Sequence, residues 1–125
     1  MIKRKILVLD DSVDYTRLVK LTLETVEEFE VKIESDPLKA LEAAREFLPD
    51  VILLDYIMPG MNGDDFAGQL KIDPDLKETP IVFLTGSLEP DSAEGKKAFL
   101  DGICLTKPAA VDDIIDAIET AMGTA

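Results

Sequence analysis

The chain has 125 residues with 13 basic and 26 acidic side chains, a net charge of −13, and a single cysteine. That length is enough for one domain with a real core and too short for a second folded module, so residues 1–125 are expected to form one unit. The acidic balance argues against direct contact with nucleic acid or an anionic membrane surface. No apolar stretch approaches the roughly 18 residues of a membrane span, and one cysteine forms no internal disulfide, so a cytoplasmic location is expected.

In chain order, a basic start leads into Ile6-Leu7-Val8-Leu9, which stops at Asp10-Asp11. Tyr15, Leu18, Val19, Thr22 and Val26 then recur at helical spacing, predicting a helix over about residues 12–28. Phe29, Val31 and Ile33 alternate with charged residues, the pattern of a strand with one wet face at a sheet edge. Asp36-Pro37 reads as a capped helix start, and the helix is expected to reach Leu48 before Pro49. Val51-Ile52-Leu53-Leu54 is a second continuous apolar run, ending at Asp55. Met58 to Gly63 reads as a loop, followed by a short helix bearing Phe66 and Leu70 that Asp73-Pro74 stops.

Ile81-Val82-Phe83-Leu84 is a third run and ends at Thr85. The helical pattern over 87–101 is the weakest in the chain, with Gly95 inside it. Ile103-Cys104-Leu105 then leads to Lys107-Pro108, and Val111, Ile114, Ile115, Ile118 and Met122 mark a strong final helix. Continuous apolar runs alternating with helices predict a parallel sheet buried on both faces, an α/β doubly wound fold. Ligands of such sheets bind beyond the carboxyl ends of the strands, so the polar residues at the run ends should converge.

The convergent set is three carboxylates, one hydroxyl and one ammonium. Carboxylates crowded together repel, and a hard divalent cation with oxygen ligands relieves the repulsion; beside phosphate the usual ion is Mg²⁺. Asp10 or Asp11 could instead cap the helix that follows, a task for which Ser12 competes. Asp55 suits either a nucleophile toward phosphorus or a further metal ligand or loop cap. Thr85 could donate to a phosphoryl oxygen and Lys107 neutralise another; singly, each has a plainer reading as a β-favouring threonine or a solvated lysine.

Asp10-Asp11, the run from Asp55 through Met58-Pro59-Gly60 to Gly63, Thr85-Gly86 and Lys107-Pro108 together resemble the receiver domain of bacterial response regulators, over essentially the whole chain. The resemblance implies a flavodoxin-like (βα)5 fold with a five-stranded sheet ordered 2-1-3-4-5. It implies that Asp55 is the phosphoacceptor, charged by a sensor histidine kinase or a histidine phosphotransfer protein. It implies Mg²⁺ on Asp10, Asp11, Asp55 and the backbone carbonyl of Ile57, with Thr85 and Lys107 on the phosphoryl oxygens and a cis Lys107-Pro108 peptide. Such a domain catalyses only its own phosphorylation and dephosphorylation, and passes the signal to an output partner the chain does not name.

Two positions depart from the family pattern: Cys104 stands where an aromatic switch residue is frequent, and Ala109 where Phe is. The alternatives are a haloacid-dehalogenase-like phosphatase, whose Asp-x-Asp motif is here Asp10-Asp11-Ser12, a flavin-binding flavodoxin, and a docking module that works without phosphorylation.

Overall fold

The computed structural model describes residues 3–26, 28–55, 57–58, 61–85, 103–106 and 110–123. The apolar runs become the parallel strands β1 (Arg4–Leu9), β3 (Val51–Leu54) and β6 (Ile81–Thr85), joined by β2 (Phe29–Glu34) and β7 (Ile103–Thr106). The hydrogen-bonded order is β2-β1-β3-β6-β7. Helices α1 (Val13–Leu23), α2 (Ala40–Phe47), α3 (Gly63–Ile72) and α4 (Val111–Ala121) cover the sheet.

Alternation of side chains along each strand explains why the central runs are apolar throughout. Leu7, Leu9, Ile52, Leu54 and Phe83 enter one core with Ala40 and Ala44 of α2 and Phe66 and Leu70 of α3. Their neighbours Ile6, Val8, Val51, Leu53 and Val82 enter the other, with Val19 and Leu23 of α1 and Ile114 and Ile118 of α4. A parallel sheet with helices on both faces is therefore present, as the run pattern requires. Each fully buried Leu, Ile, Val or Phe contributes about 1.5–3 kcal/mol relative to exposure, so the two cores supply the driving force for assembly. Phe29 and Val31 on β2 are buried while Glu30 is exposed, consistent with the outermost place of that strand.

Three elements differ from the sequence-based expectation. Helix α1 stops at Leu23 rather than near residue 28, because the next turn tightens into i→i−3 bonds: Thr25 N donates to Thr22 O at 3.3 Å and Val26 N to Leu23 O at 3.0 Å. Threonine hydroxyls assist, with Thr25 Oγ1 donating to Thr22 O at 2.6 Å. The Asp36-Pro37 start produces one 3₁₀ turn, Pro37–Lys39, before α2 begins. Asp36 Oδ1 accepts from Leu38 N at 2.9 Å, so it caps that turn. Finally, the expected loop after Asp55 contains an antiparallel ribbon of β4 (Ile57–Met58) and β5 (Met61–Asn62). The expected helix over 87–101 and the Lys107-Pro108 peptide lie outside the described residues.

Candidate functional site

The carboxyl ends of β1, β3 and β6 lie along one edge of the sheet. Leu9 pairs with Leu54, and Asp55 N donates to Leu9 O at 2.8 Å, so Asp10 and Asp55 leave adjacent strands at the same level. Leu54 pairs with Phe83 on its other side, which puts the end of β6 at Thr85 on the same edge.

Both aspartates follow four buried strand residues and are themselves buried: Asp10 is 1% and Asp55 7% exposed. Asp11, one residue into the turn, is exposed. One carboxylate oxygen from each of Asp10, Asp11 and Asp55 falls within 4.8 Å of the others. Two buried charges and a third at the mouth form a costly grouping unless a cation or donors compensate, and an all-oxygen set of this kind suits a hard divalent ion. The acidic cluster is thus compatible with Mg²⁺, and its open side is the one on which Asp11 lies.

Capping of α1 falls to Ser12, not to either aspartate. Tyr15 N donates to Ser12 Oγ at 3.4 Å, and Ser12 has the extended backbone of an N-cap. Asp10 has a different local task, since its Oδ1 accepts from Ser12 N at 2.9 Å and so shapes the turn that carries Asp11.

The other candidate residues are placed less fully. Ile57 is in β4, paired with Asn62 two residues after Asp55. The backbone of Thr85 ends β6 opposite Thr106, and Lys107, the next residue after β7, is outside the described residues. Sequence reasoning missed Asn62 as the partner of Ile57. The sequence carries no clear signal for it, because Pro followed by Gly favours turn types that splay flanking strands and reads as a break, not as a strand pairing.

With the site in view, the comparisons decide the family. Residues 6–119 match the response regulator receiver domain. The chain belongs to that family. It is 38% identical over 112 residues to the response regulator PleD of Caulobacter vibrioides, covering 89% of this chain and 24% of PleD. It is 37% identical over 87 residues to the DNA-binding response regulator MtrA of Mycobacterium tuberculosis, covering 70% of this chain and 36% of MtrA. It therefore spans only about a quarter to a third of these curated relatives. Among solved structures, the chemotaxis response regulator CheY4 of Vibrio cholerae superposes with a TM-score of 0.82 at 29% identity, covering 95% of this chain and 98% of that one. A two-component receiver is thereby favoured over the haloacid-dehalogenase-like phosphatase. No helix among the described residues is long and apolar enough to cross a membrane.

Proposed function

We propose that this receiver domain accepts a phosphoryl group on Asp55 from the phosphohistidine of a sensor histidine kinase or a histidine phosphotransfer protein. The observation that carries the reading is the meeting of Asp10, Asp11 and Asp55 at the carboxyl edge of the sheet of a receiver-family chain. A carboxylate oxygen of Asp55 attacks phosphorus, the new O–P bond forms as the P–N bond breaks, and the imidazole leaves with the electron pair. Mg²⁺, when bound, neutralises the gathered charge and that of the phosphoryl oxygens.

Asp10, Asp11, Asp55 and the carbonyl of Ile57 are the residues that would hold the ion. A two-residue connection leaves the closing Met58–Met61 pair to exchange hydrogen bonds. By alternation the carbonyl of Ile57 is then turned away from Asn62, which supports its assignment. Thr85 and Lys107 are assigned to the phosphoryl oxygens, Thr85 because it ends β6 on the same edge. We read the five parallel strands as the flavodoxin-like (βα)5 arrangement, 2-1-3-4-5 once the β4–β5 ribbon is set aside, forming one domain over residues 1–125.

In this reading the chain is no turnover enzyme, acts in the cytoplasm, and signals by changing partner binding or by passing the phosphoryl group on. With its net charge of −13 it does not itself bind nucleic acid. The test is intact mass after incubation with Mg²⁺ and a small acyl phosphate. One phosphoryl adduct is expected on the natural chain, and none on Asp55→Asn or in the presence of chelator. An adduct of equal yield on Asp55→Asn, or one indifferent to chelator, would remove Asp55 or the metal from the mechanism.

A further inference from the structure

Strand β2 is the outermost strand of the sheet, and an unprotected edge is a template for pairing with another chain. The ladder to β1 shows which of its backbone groups look outward. Arg4 N donates to Glu28 O at 2.7 Å and Asp10 N to Glu34 O at 3.3 Å, so the even-numbered positions face β1. The N–H and C=O groups of Phe29, Val31 and Ile33 therefore face away from the sheet. At the middle of this edge both groups of Val31 are occupied by two side chains from the end of α1. Val31 N donates to Glu24 Oε2 at 3.3 Å, and Lys20 Nζ donates to Val31 O at 2.6 Å. Lys20 and Glu24 are themselves joined at 3.1 Å, an i,i+4 pair on the helix. Phe29 N is also engaged, donating to Val26 O at 3.0 Å.

We propose that the Lys20–Glu24 pair is a cap on the β2 edge that keeps a second copy of this chain from adding its own β2 there. The excluded occupant follows from the strand sequence, Phe29-Glu30-Val31-Lys32-Ile33. Antiparallel pairing about a two-fold axis at Val31 sets Val31 against Val31, Phe29 against Ile33, and Glu30 against Lys32 twice over. The charges are complementary, and in this one register Val31 pairs with its own copy through both backbone groups, while each Phe29–Ile33 pair gains the bond from Ile33 N to Phe29 O, Phe29 N being already given to Val26 O. The cap sits on the residue at the centre of that symmetry. An exposed helix pair ordinarily matters little to stability, which makes its double engagement of one edge residue the more specific feature.

The test compares sedimentation equilibrium of the natural chain with Lys20→Ala/Glu24→Ala, and with the same double variant carrying Lys32→Glu. The double variant should rise toward twice the mass of the natural chain at equal concentration. Lys32→Glu places like charges opposite Glu30 and should restore the original mass. Amide exchange adds a readout that mere loss of local structure would not give: protection at Val31 in the double variant should increase with protein concentration. A double variant with native circular dichroism and unchanged mass overturns the proposal, and so does association that survives Lys32→Glu. If the double variant does not fold, Lys20→Met exposes only the Val31 carbonyl. It should associate more weakly but in the same register, and an unchanged mass both there and in Lys20→Met/Glu24→Met, which frees both Val31 groups while keeping helix-favouring side chains, overturns the cap.

Discussion

Asp11→Asn should shift stability in opposite directions with and without Mg²⁺. The carboxylate oxygens of Asp10, Asp11 and Asp55 lie within 4.8 Å of one another. At about that separation two unit charges repel by roughly 1 kcal/mol in water-like surroundings and roughly 3.5 kcal/mol at an effective dielectric constant of about 20. Asp11 is exposed, so its two pairs belong near the lower figure and together cost about 2 kcal/mol. In chelator at low ionic strength the variant should be more stable by that amount, roughly 6–10 °C in melting temperature for a chain of this size. In saturating Mg²⁺ the order should reverse. A ligand at about 100 times its dissociation constant stabilises the native state by about 2.7 kcal/mol, and the variant forgoes most of that. Thermal denaturation of both proteins in chelator, in Mg²⁺, and again near 1 M salt, where the screening length falls to about 3 Å, gives the full matrix. A variant that melts below the natural chain in chelator would refute the repulsion argument, and an undiminished Mg²⁺ shift would place the ion elsewhere.

The remaining predictions concern packing, backbone and pH. Phe66→Ala removes a fully buried ring between α3 and the sheet and should cost about 3–5 kcal/mol by urea denaturation; a loss under about 1 kcal/mol would contradict the packing described. Leu48 ends α2 with φ 50° and ψ 64° and is half exposed. The left-handed conformation costs a side-chain-bearing residue about 1–2 kcal/mol, more than the roughly 0.5–1 kcal/mol that glycine loses in chain entropy. Leu48→Gly should therefore raise the urea midpoint by a small margin, and a lowered midpoint would mean that the leucine side chain contributes more than its exposure implies. The Arg45 side chain, donating to Asp73 Oδ2 at 2.7 Å, and the Asp75 amide hold the Asp73 carboxyl below its ordinary range. A folded-state pKa below the unfolded value adds stability that is fully present above the unfolded pKa and is lost as pH falls through the folded one. Asp73→Asn should thus lose stability at neutral pH and show a shallower decline in acid. An acid limb as steep as that of the natural chain would show that other carboxylates set it.

What could be read in advance followed from short-range rules acting within one element. Four consecutive apolar residues ending at a carboxylate identify a doubly buried parallel strand, and the strand-end rule then brings Asp10, Asp11 and Asp55 together. Alternation at Phe29, Val31 and Ile33 likewise identified an edge. Where two local rules competed, the outcome depended on tertiary placement. Aspartate and serine are comparable caps, so nothing in Asp10-Asp11-Ser12 says which residue closes α1. Val26 continues the helical stripe by spacing, yet it lies in the tightened turn that follows α1. Pro59-Gly60 marks a break, but whether its flanks pair depends on geometry beyond the dipeptide. The hold of Lys20 and Glu24 on Val31 joins residues 11 and 7 positions apart through a helix end and a turn, and no pattern within either element announces it.

The attachment of β3 to β1 bears on how this domain can change. At one end Asp50 N donates to Lys5 O, and Lys5 N to Asp50 Oδ2, each at 2.7 Å; at the other Asp55 N donates to Leu9 O at 2.8 Å. Four residues lie between these two fastenings, so the segment works as a ruler whose length sets where the second buried carboxylate stands against the first. Loss or gain of one residue within 51–54 would displace Asp55 by about 3.3 Å along the strand and turn it to the opposite face of the sheet. Side chains in this stretch can drift among apolar types, but its residue count cannot. Length variation among descendants of this chain is therefore expected in the connections around β3 and not inside it.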